Sequence, residues 1–225
     1  MEIRGKKEPL TGHDRHADRR TRAGIGRRVP GWTLGLAIWL GVLAHGLAFT
    51  TVVIDPGHGG QDRGGIPGQR VAEKTVTLDT AFRLAALLRA EGLRVVMTRR
   101  GDYFVSLQDR VAIANAQRNA IFVSIHYNAT PRAGAEGFET YYYTARSAKL
   151  AQACYSRIVQ AWGGSRRGVR TRGFYVIRKT SIPSVLVEPG FLTNPREAAM
   201  VSQPEVRQRI ARLLAAAIES RRGGY

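Results

Sequence analysis

The sequence predicts an α/β fold: a single domain built on a mostly parallel, twisted sheet of about six strands flanked by helices. Three observations carry that expectation. From residue 51 onward, short aliphatic runs alternate with stretches of helical periodicity. The first two strand-helix-strand crossovers have the length that parallel pairing requires. A chain of 225 residues with 44% hydrophobic content can also bury one sizeable core, and no linker divides its aliphatic runs.

Residues 51–55 read as the first buried strand, followed by a glycine-rich loop. Residues 74–90 place Val76, Leu78, Ala81, Leu84, Leu87 and Leu88 on one helical stripe, which Gly92 closes. Residues 94–98 form a second strand. Ser106 caps a helix carrying Leu107, Val111, Ile113 and Ala114, and residues 121–125 form a third buried strand. Residues 137–143 alternate as a strand, and residues 147–162 form a helix containing Cys154. The basic segment 165–172 reads as a loop leading to the apolar run Phe174-Tyr175-Val176-Ile177. Residues 184–188 make the last strand. Pro204, after Ser202, then opens a helix with Val206, Ile210, Leu213, Leu214 and Ala217 on one face. No internal repeat or low-complexity tract appears after residue 50.

A lone cysteine excludes an intrachain disulfide and a zinc-thiolate cluster, so Cys154 is expected to be a packed small hydrophobe. Residues 1–30 hold nine Lys/Arg against four Asp/Glu, so +13 of the formal +18 belongs to residues 51–225. That field favours polyanions: nucleic acid, an anionic membrane surface or an acidic wall polymer. Residues 31–50 carry no Asp, Glu, Lys or Arg. The apolar stretch 32–44 follows Arg27-Arg28 and leads into Gly46-Leu47-Ala48, a small-x-small site for cleavage after Ala48. Cleavage is the expected outcome; an uncleaved anchor and a start downstream of Met1 are the alternatives. Residues 1–50 are therefore read as a basic leader with a signal peptide or membrane anchor, and residues 51–225 as an exported catalytic domain. Its expected location is the periplasm or cell envelope, or outside the cell, with the basic leader left on the cytoplasmic side.

The domain holds two histidines, and each lies just past an apolar run: His58 in Ile54-Asp55-Pro56-Gly57-His58-Gly59-Gly60, and His126 in Ser124-Ile125-His126-Tyr127-Asn128. A third run, Val185-Leu186-Val187, ends in Glu188-Pro189-Gly190. In α/β sheets ligands bind beyond the carboxyl ends of the strands, so two imidazoles and a carboxylate delivered there suggest a hydrolytic metal site. For a third ligand, spacing leaves Asp62 and Glu73 even, with Glu139 on a later strand as another carboxylate; Glu73 also has an ordinary reading as a helix-start acid. Glu188, ending an apolar strand, is costly to bury without a partner. Asp55 and Asn128 are candidates for orienting an imidazole or touching substrate. The glycines around His58 lack the endings of phosphate-binding or dinucleotide-binding loops.

Val53-Ile54-Asp55-Pro56-Gly57-His58-Gly59-Gly60, Glu73-Lys74, Ser124-Ile125-His126-Tyr127-Asn128-Ala129 and Val187-Glu188-Pro189-Gly190-Phe191-Leu192-Thr193-Asn194 together resemble the zinc-dependent N-acetylmuramoyl-L-alanine amidases of the type-3 family, which cleave bacterial peptidoglycan. The likeness runs over residues 51–218. It implies a zinc-exopeptidase or phosphorylase-hydrolase-like fold, Zn2+ held by His58, Glu73 and His126, and Glu188 as the catalytic carboxylate. The implied reaction is hydrolysis of the amide between N-acetylmuramic acid and L-alanine, in wall remodelling, turnover or daughter-cell separation. Some relatives carry a regulatory helix between the second histidine and the helix equivalent to residues 147–162. Only Thr144-Ala145-Arg146 separates Tyr143 from Ser147 here, so no built-in plug is expected.

The expected partner is peptidoglycan, as a muramyl-peptide substrate. Membrane contact is expected only through the leader, and the domain is expected to be a monomer. Arg166, Arg167, Arg170 and Arg172, with Arg178 and Lys179, are candidates for contacting stem-peptide carboxylates, or else form a solvated run. A nucleic-acid partner is not expected, because the basic charge comes without an aromatic-basic motif. Two rival readings remain, a zinc peptidase acting within the stem peptide and a wall-binding module without catalysis.

Overall fold

The computed structural model describes residues 49–132, 134–162 and 166–224. The expected apolar leader segment and its cleavage site lie outside the described residues. The elements run β1 (Thr51–Pro56), α1 (Glu73–Ala90), β2 (Arg94–Met97), α2 (Leu107–Asn115), β3 (Ala120–Ile125), β4 (Phe138–Tyr142), α3 (Ala148–Trp162), β5 (Arg166–Thr171), α4 (Tyr175–Lys179), β6 (Ser184–Pro189), α5 (Pro195–Val201) and α6 (Pro204–Glu219).

Six strands make one sheet in the order β2-β1-β3-β6-β4-β5. The strands β2, β1, β3 and β6 are mutually parallel, β4 runs antiparallel to β6, and β5 is parallel to β4. All six residues of β1 are buried, as are all six of β3, which explains their unbroken aliphatic runs. Side chains alternate between two cores. Val52 and Ile54 face a layer made by α1, α3 and α6, whereas Val53, Phe122 and Leu186 face Val176 and Ile177 of α4 and Ala114 of α2.

Leu84 of α1 is fully buried in the larger core, and so is Cys154 of α3, whose thiol burial pushes up to about 12. Truncating Leu84 to Ala should cost about 2–5 kcal/mol. Urea denaturation reads that loss directly, and a change below about 1 kcal/mol would mean that the site relaxes to fill the void.

Three segments differ from expectation. The basic stretch read as a loop is strand β5: its backbone pairs in parallel with β4, and as an edge strand it needs only Val169 on the core, so it shows no aliphatic run. The apolar run at Phe174, to which the sequence assigns no element, forms a helical turn, with Val176 and Ile177 of α4 packed against the sheet. Helix α5 was not anticipated, although its signal was readable: Asn194 caps it, its Oδ1 accepting from the Arg196 and Glu197 amides at 3.0 and 3.2 Å, and Pro195 follows at the first helical position. Ser106 caps α2 as expected, accepting from the Asp109 amide at 3.1 Å. Between β4 and α3 the chain makes a single turn of 3-10 helix, Ala145–Ser147, with no inserted helix.

The order of the strands fixes where a site can form. From β1 the chain moves outward to β2, then crosses back over β1 to β3. The carboxyl ends of β1 and β3 therefore border a topological switch point, where loops diverge and leave a crevice. His58 and His126 follow these two ends, and Glu188 sits near the end of the adjoining β6.

Candidate metal centre

His58, Glu73 and His126 converge, with one donor atom from each lying within 4.8 Å of the others. The two imidazole rings meet edge to face, 4.8 Å between centroids. Glu73 sits between them: its Oε2 is 3.1 Å from His58 Nε2, and its Oε1 is 3.0 Å from His126 Nδ1. The backbone amide of Tyr127 donates to the same Oε1 at 2.9 Å. Glu73 is the first residue of α1, where no side chain caps the amides, and its carboxylate turns into the site instead of serving the helix end.

Burial opposes ionisation of Glu73, but the hydrogen bonds from His126 and His58, aided by their charge, outweigh it and hold the carboxyl down at about 2. For His58, burial likewise opposes protonation, and the bonds to Glu73 and Asp62 overcome it, raising the imidazole above its ordinary value. Glu73 is thus an ionised carboxylate hydrogen-bonded to both imidazoles. Two nitrogens and a carboxylate held in that way are a donor set from which a divalent ion can displace the protons.

Local backbone chemistry makes the convergence feasible. His58 itself adopts φ 62°, a left-handed conformation rare outside glycine, which aims its ring back toward β3. A Cβ at Gly57 would fall 2.3 Å from the His126 ring, so only glycine lets that ring lie against β1. Asp62 is not between the imidazoles. Its Oδ2 accepts from His58 Nδ1 at 2.8 Å, which leaves Nε2 facing Glu73. That is the outer-carboxylate arrangement that orients a ligating imidazole.

Asp55 touches no imidazole. It is fully buried, accepting from Thr98 Oγ1 at 2.6 Å, Ser124 Oγ at 2.7 Å and Arg110 Nη1 at 2.7 Å. Arg110 in turn donates to the carbonyl of His58 at 2.7 Å. A second buried arginine, Arg99, donates to the carbonyls of Pro56, Gly57 and Lys74 at 3.0, 2.8 and 2.7 Å. Together they tie the loop bearing His58 to the helix bearing Glu73. Neither arginine stood out in the sequence, because buried and solvated arginines look alike until their carbonyl partners are known.

Glu188 lies across the β4–β6 pair from Glu139. Desolvation, then repulsion from Glu139 and Glu73, pushes its carboxyl up to about 8; Arg167 and the Asn128 amide offset only part of that. Its Oε2 is buried without a hydrogen-bond partner. An orphaned carboxylate oxygen at a strand end is costly in a finished structure and points to a ligand or solvent that completes it. Asn128 donates to Glu139 Oε2 at 2.5 Å, so it braces the glutamate pair and does not orient an imidazole. Glu197 of α5 accepts from the amides of Gly137 and Phe191 at 2.8 and 2.7 Å, fixing the loop beyond Glu188 against the start of β4.

The arrangement agrees with what the chain is similar to. LytC, an N-acetylmuramoyl-L-alanine amidase of Bacillus subtilis (strain 168), is 41% identical over 168 residues, 73% of this chain and 34% of LytC. The chain thus spans about a third of that relative. It is 37% identical to the uncharacterized protein YqiI of the same organism, over 83% of this chain and 93% of YqiI. Among solved structures, the catalytic domain of CwlV from Bacillus (Paenibacillus) polymyxa superposes with a TM-score of 0.73 at 36% identity, covering 76% of this chain and 97% of that one. AmiC2 of Nostoc punctiforme, an N-acetylmuramoyl-L-alanine amidase, gives 0.72 at 40% identity, over 77% and 96%. The family model for N-acetylmuramoyl-L-alanine amidases matches residues 52–220, which takes in every strand but the first residue of β1 and both histidine loops: this chain belongs to that family.

Proposed function

We propose that the chain is a zinc-dependent N-acetylmuramoyl-L-alanine amidase that hydrolyses the amide between the lactyl carbonyl of N-acetylmuramic acid and the L-alanine nitrogen of peptidoglycan. The observation that carries this reading is the convergence of His58, Glu73 and His126 within 4.8 Å, beside a carboxylate whose Oε2 is unsatisfied. Two imidazoles and one carboxylate are a donor set that catalytic zinc uses, with a coordination position left for water or substrate. When bound, zinc supplies Lewis acidity, polarising a carbonyl and lowering the pKa of water toward about 7.

The chain's own residues supply the rest. Asp62 holds the His58 ring by Nδ1 so that Nε2 faces Glu73, where with His126 it would hold the ion. Arg99 and Arg110 keep the two loops in register. Glu188 removes a proton from the attacking water and returns it to the departing L-alanine nitrogen, the work of a general base that becomes a general acid. A carboxyl that its surroundings push up to about 8 is suited to holding that proton between the two transfers. The leader pattern supports action on the exported side of the membrane, where the polymer is.

Mass spectrometry of purified peptidoglycan after incubation with the full chain and zinc tests the reading. The expected products are intact stem peptides with a free L-alanine amino terminus, and glycan bearing a free lactyl carboxylate. Cuts within the stem peptide would make the protein a peptidase instead, and a bound but undigested wall would make it a binding module.

A further inference from the structure

A cleft of about 650 Å³ opens at Glu139, the cross-strand neighbour of Glu188, between β4, β5 and loop residues 128–130, 132 and 134–136. Four arginines line it, Arg132, Arg167, Arg170 and Arg172, against two acids, Glu136 and Glu139. Glu139 is 5% exposed and its charge is already engaged: Tyr141 Oη donates to it at 2.8 Å, and Arg167 and Arg170 each bring Nε to its Oε1, at 3.2 and 3.3 Å. Arg170 also donates from Nη2 to the Arg167 carbonyl at 3.2 Å, which leaves Nη1 of Arg170 and both Nη groups of Arg167 without a hydrogen-bond partner among the described residues. Arg132 and Arg172 have no side-chain partner among the described residues.

This cleft is built by a backbone irregularity. Phe138 of β4 pairs with Arg166 but Glu139 pairs with Gly168, so Arg167 is an extra residue in β5. A bulge of this kind re-aims a side chain, and here it turns Arg167 to the side that Arg170 already occupies. The Arg167 guanidinium then lies 4.9 Å from the centre of the Phe191 ring, three residues beyond Glu188, and its Nε is buried with no well-aligned acceptor. A planar guanidinium held on an aromatic face, with its outer donors free, is preorganised for a carboxylate.

We infer that the cleft is a carboxylate subsite that seats the peptide limb of the substrate, so that a free carboxylate on the residue after L-alanine is read by Arg167 together with Arg170 and Arg172. The inference rests on the amidase reading, which places the scissile amide beside Glu188. Of the two limbs leaving that bond, the glycan is uncharged apart from its links and the peptide carries carboxylates, so the basic cleft selects the peptide. The other wall of the centre complements this: Phe104, Leu107 and Phe174 border an apolar hollow of about 440 Å³ next to His58, suited to a sugar face.

The test uses two muramoyl dipeptides that differ only in whether the residue after L-alanine bears a carboxylate or a carboxamide. A hydrogen-bonded charge contact of about 1.5–3 kcal/mol corresponds to a 10- to 100-fold preference for the acid, expressed mainly in KM. Arg167→Gln should shrink that preference to about threefold or less, and Arg172→Gln, an exposed residue whose loss cannot unfold the chain, should shrink it in part. Calorimetry with the released L-alanyl peptides reads the same cleft without turnover, and the acid should bind more tightly than the amide. Equal binding of the two peptides, or parallel losses on both substrates in the variants, overturns the subsite. Failure of the wild-type chain to cut either compound while the acid still binds more tightly overturns the amidase reading and leaves the subsite standing.

Discussion

Replacing Glu188 by Gln is expected to lower turnover on peptidoglycan by about 10² to 10⁴-fold and to leave zinc binding at the same stoichiometry. The substitution keeps the shape of the side chain and removes only its capacity to take and return a proton. None of the three converging donors belongs to Glu188, so metal content is untouched. A second signature separates this role from a structural one. The folded state raises the Glu188 carboxyl to about 8, far above its value of about 4.5 in an unfolded chain, so the native state binds the extra proton between those two values. Stability of the metal-free protein therefore falls as pH rises through that window and stays low above it. The Gln variant lacks this titration and should melt at a higher temperature than the wild type at pH above about 8, with the two converging below about 4. Lost activity with gained alkaline stability is the pattern of a functional carboxylate held against its own preference. Near-normal turnover in the variant would remove Glu188 from the proton-transfer role.

The parts of the fold legible in the sequence are those where burial imposes a period. β1, β3 and β6 are covered on both faces by helices, so their aliphatic runs stand out, and α1 and α6 carry one apolar stripe because one face meets the sheet or each other. β5 escaped because an edge strand of arginines is held by its backbone, and backbone pairing leaves no trace in side-chain pattern. For the site, position after a strand was enough to single out His58, His126 and Glu188. It was not enough to separate Asp62 from Glu73, since both lie on the connection from β1 to α1 and either spacing closes a loop. The resemblance to the amidases favoured Glu73, and the geometry supplies a physical reason: His58 adopts a positive φ, which turns its Nε2 toward the start of α1 and its Nδ1 toward Asp62. That local geometry places Glu73 against both rings and Asp62 against one, and no spacing rule contains it.

Glu73→Gln is the variant that should abolish both metal binding and activity. Among the described residues the carboxylate is the only charged group between the two imidazoles, and a neutral amide there offers a weaker donor to a divalent ion. Changes to groups that merely orient a ligand cost about 10- to 100-fold in metal affinity, so loss of a ligand should exceed about 100-fold. The fold should survive, because the Gln carbonyl can still accept from the Tyr127 amide. Without metal the wild type gains stability from this cluster over a defined range. The Glu73 contribution is complete above about 4.5 and is lost as pH falls toward about 2; the His58 contribution is complete below about 6.5 and is lost as pH rises through its elevated value. The metal-free variant should therefore be less stable than the metal-free wild type most clearly between about pH 4.5 and 6.5. Zinc widens the gap at higher pH, where fewer protons compete for the nitrogens: it should raise the wild-type melting temperature and leave that of the variant unchanged. A variant that retained one zinc per chain and melted later with added zinc would show that the imidazoles hold the ion without Glu73, and the three-ligand centre would have to be redrawn.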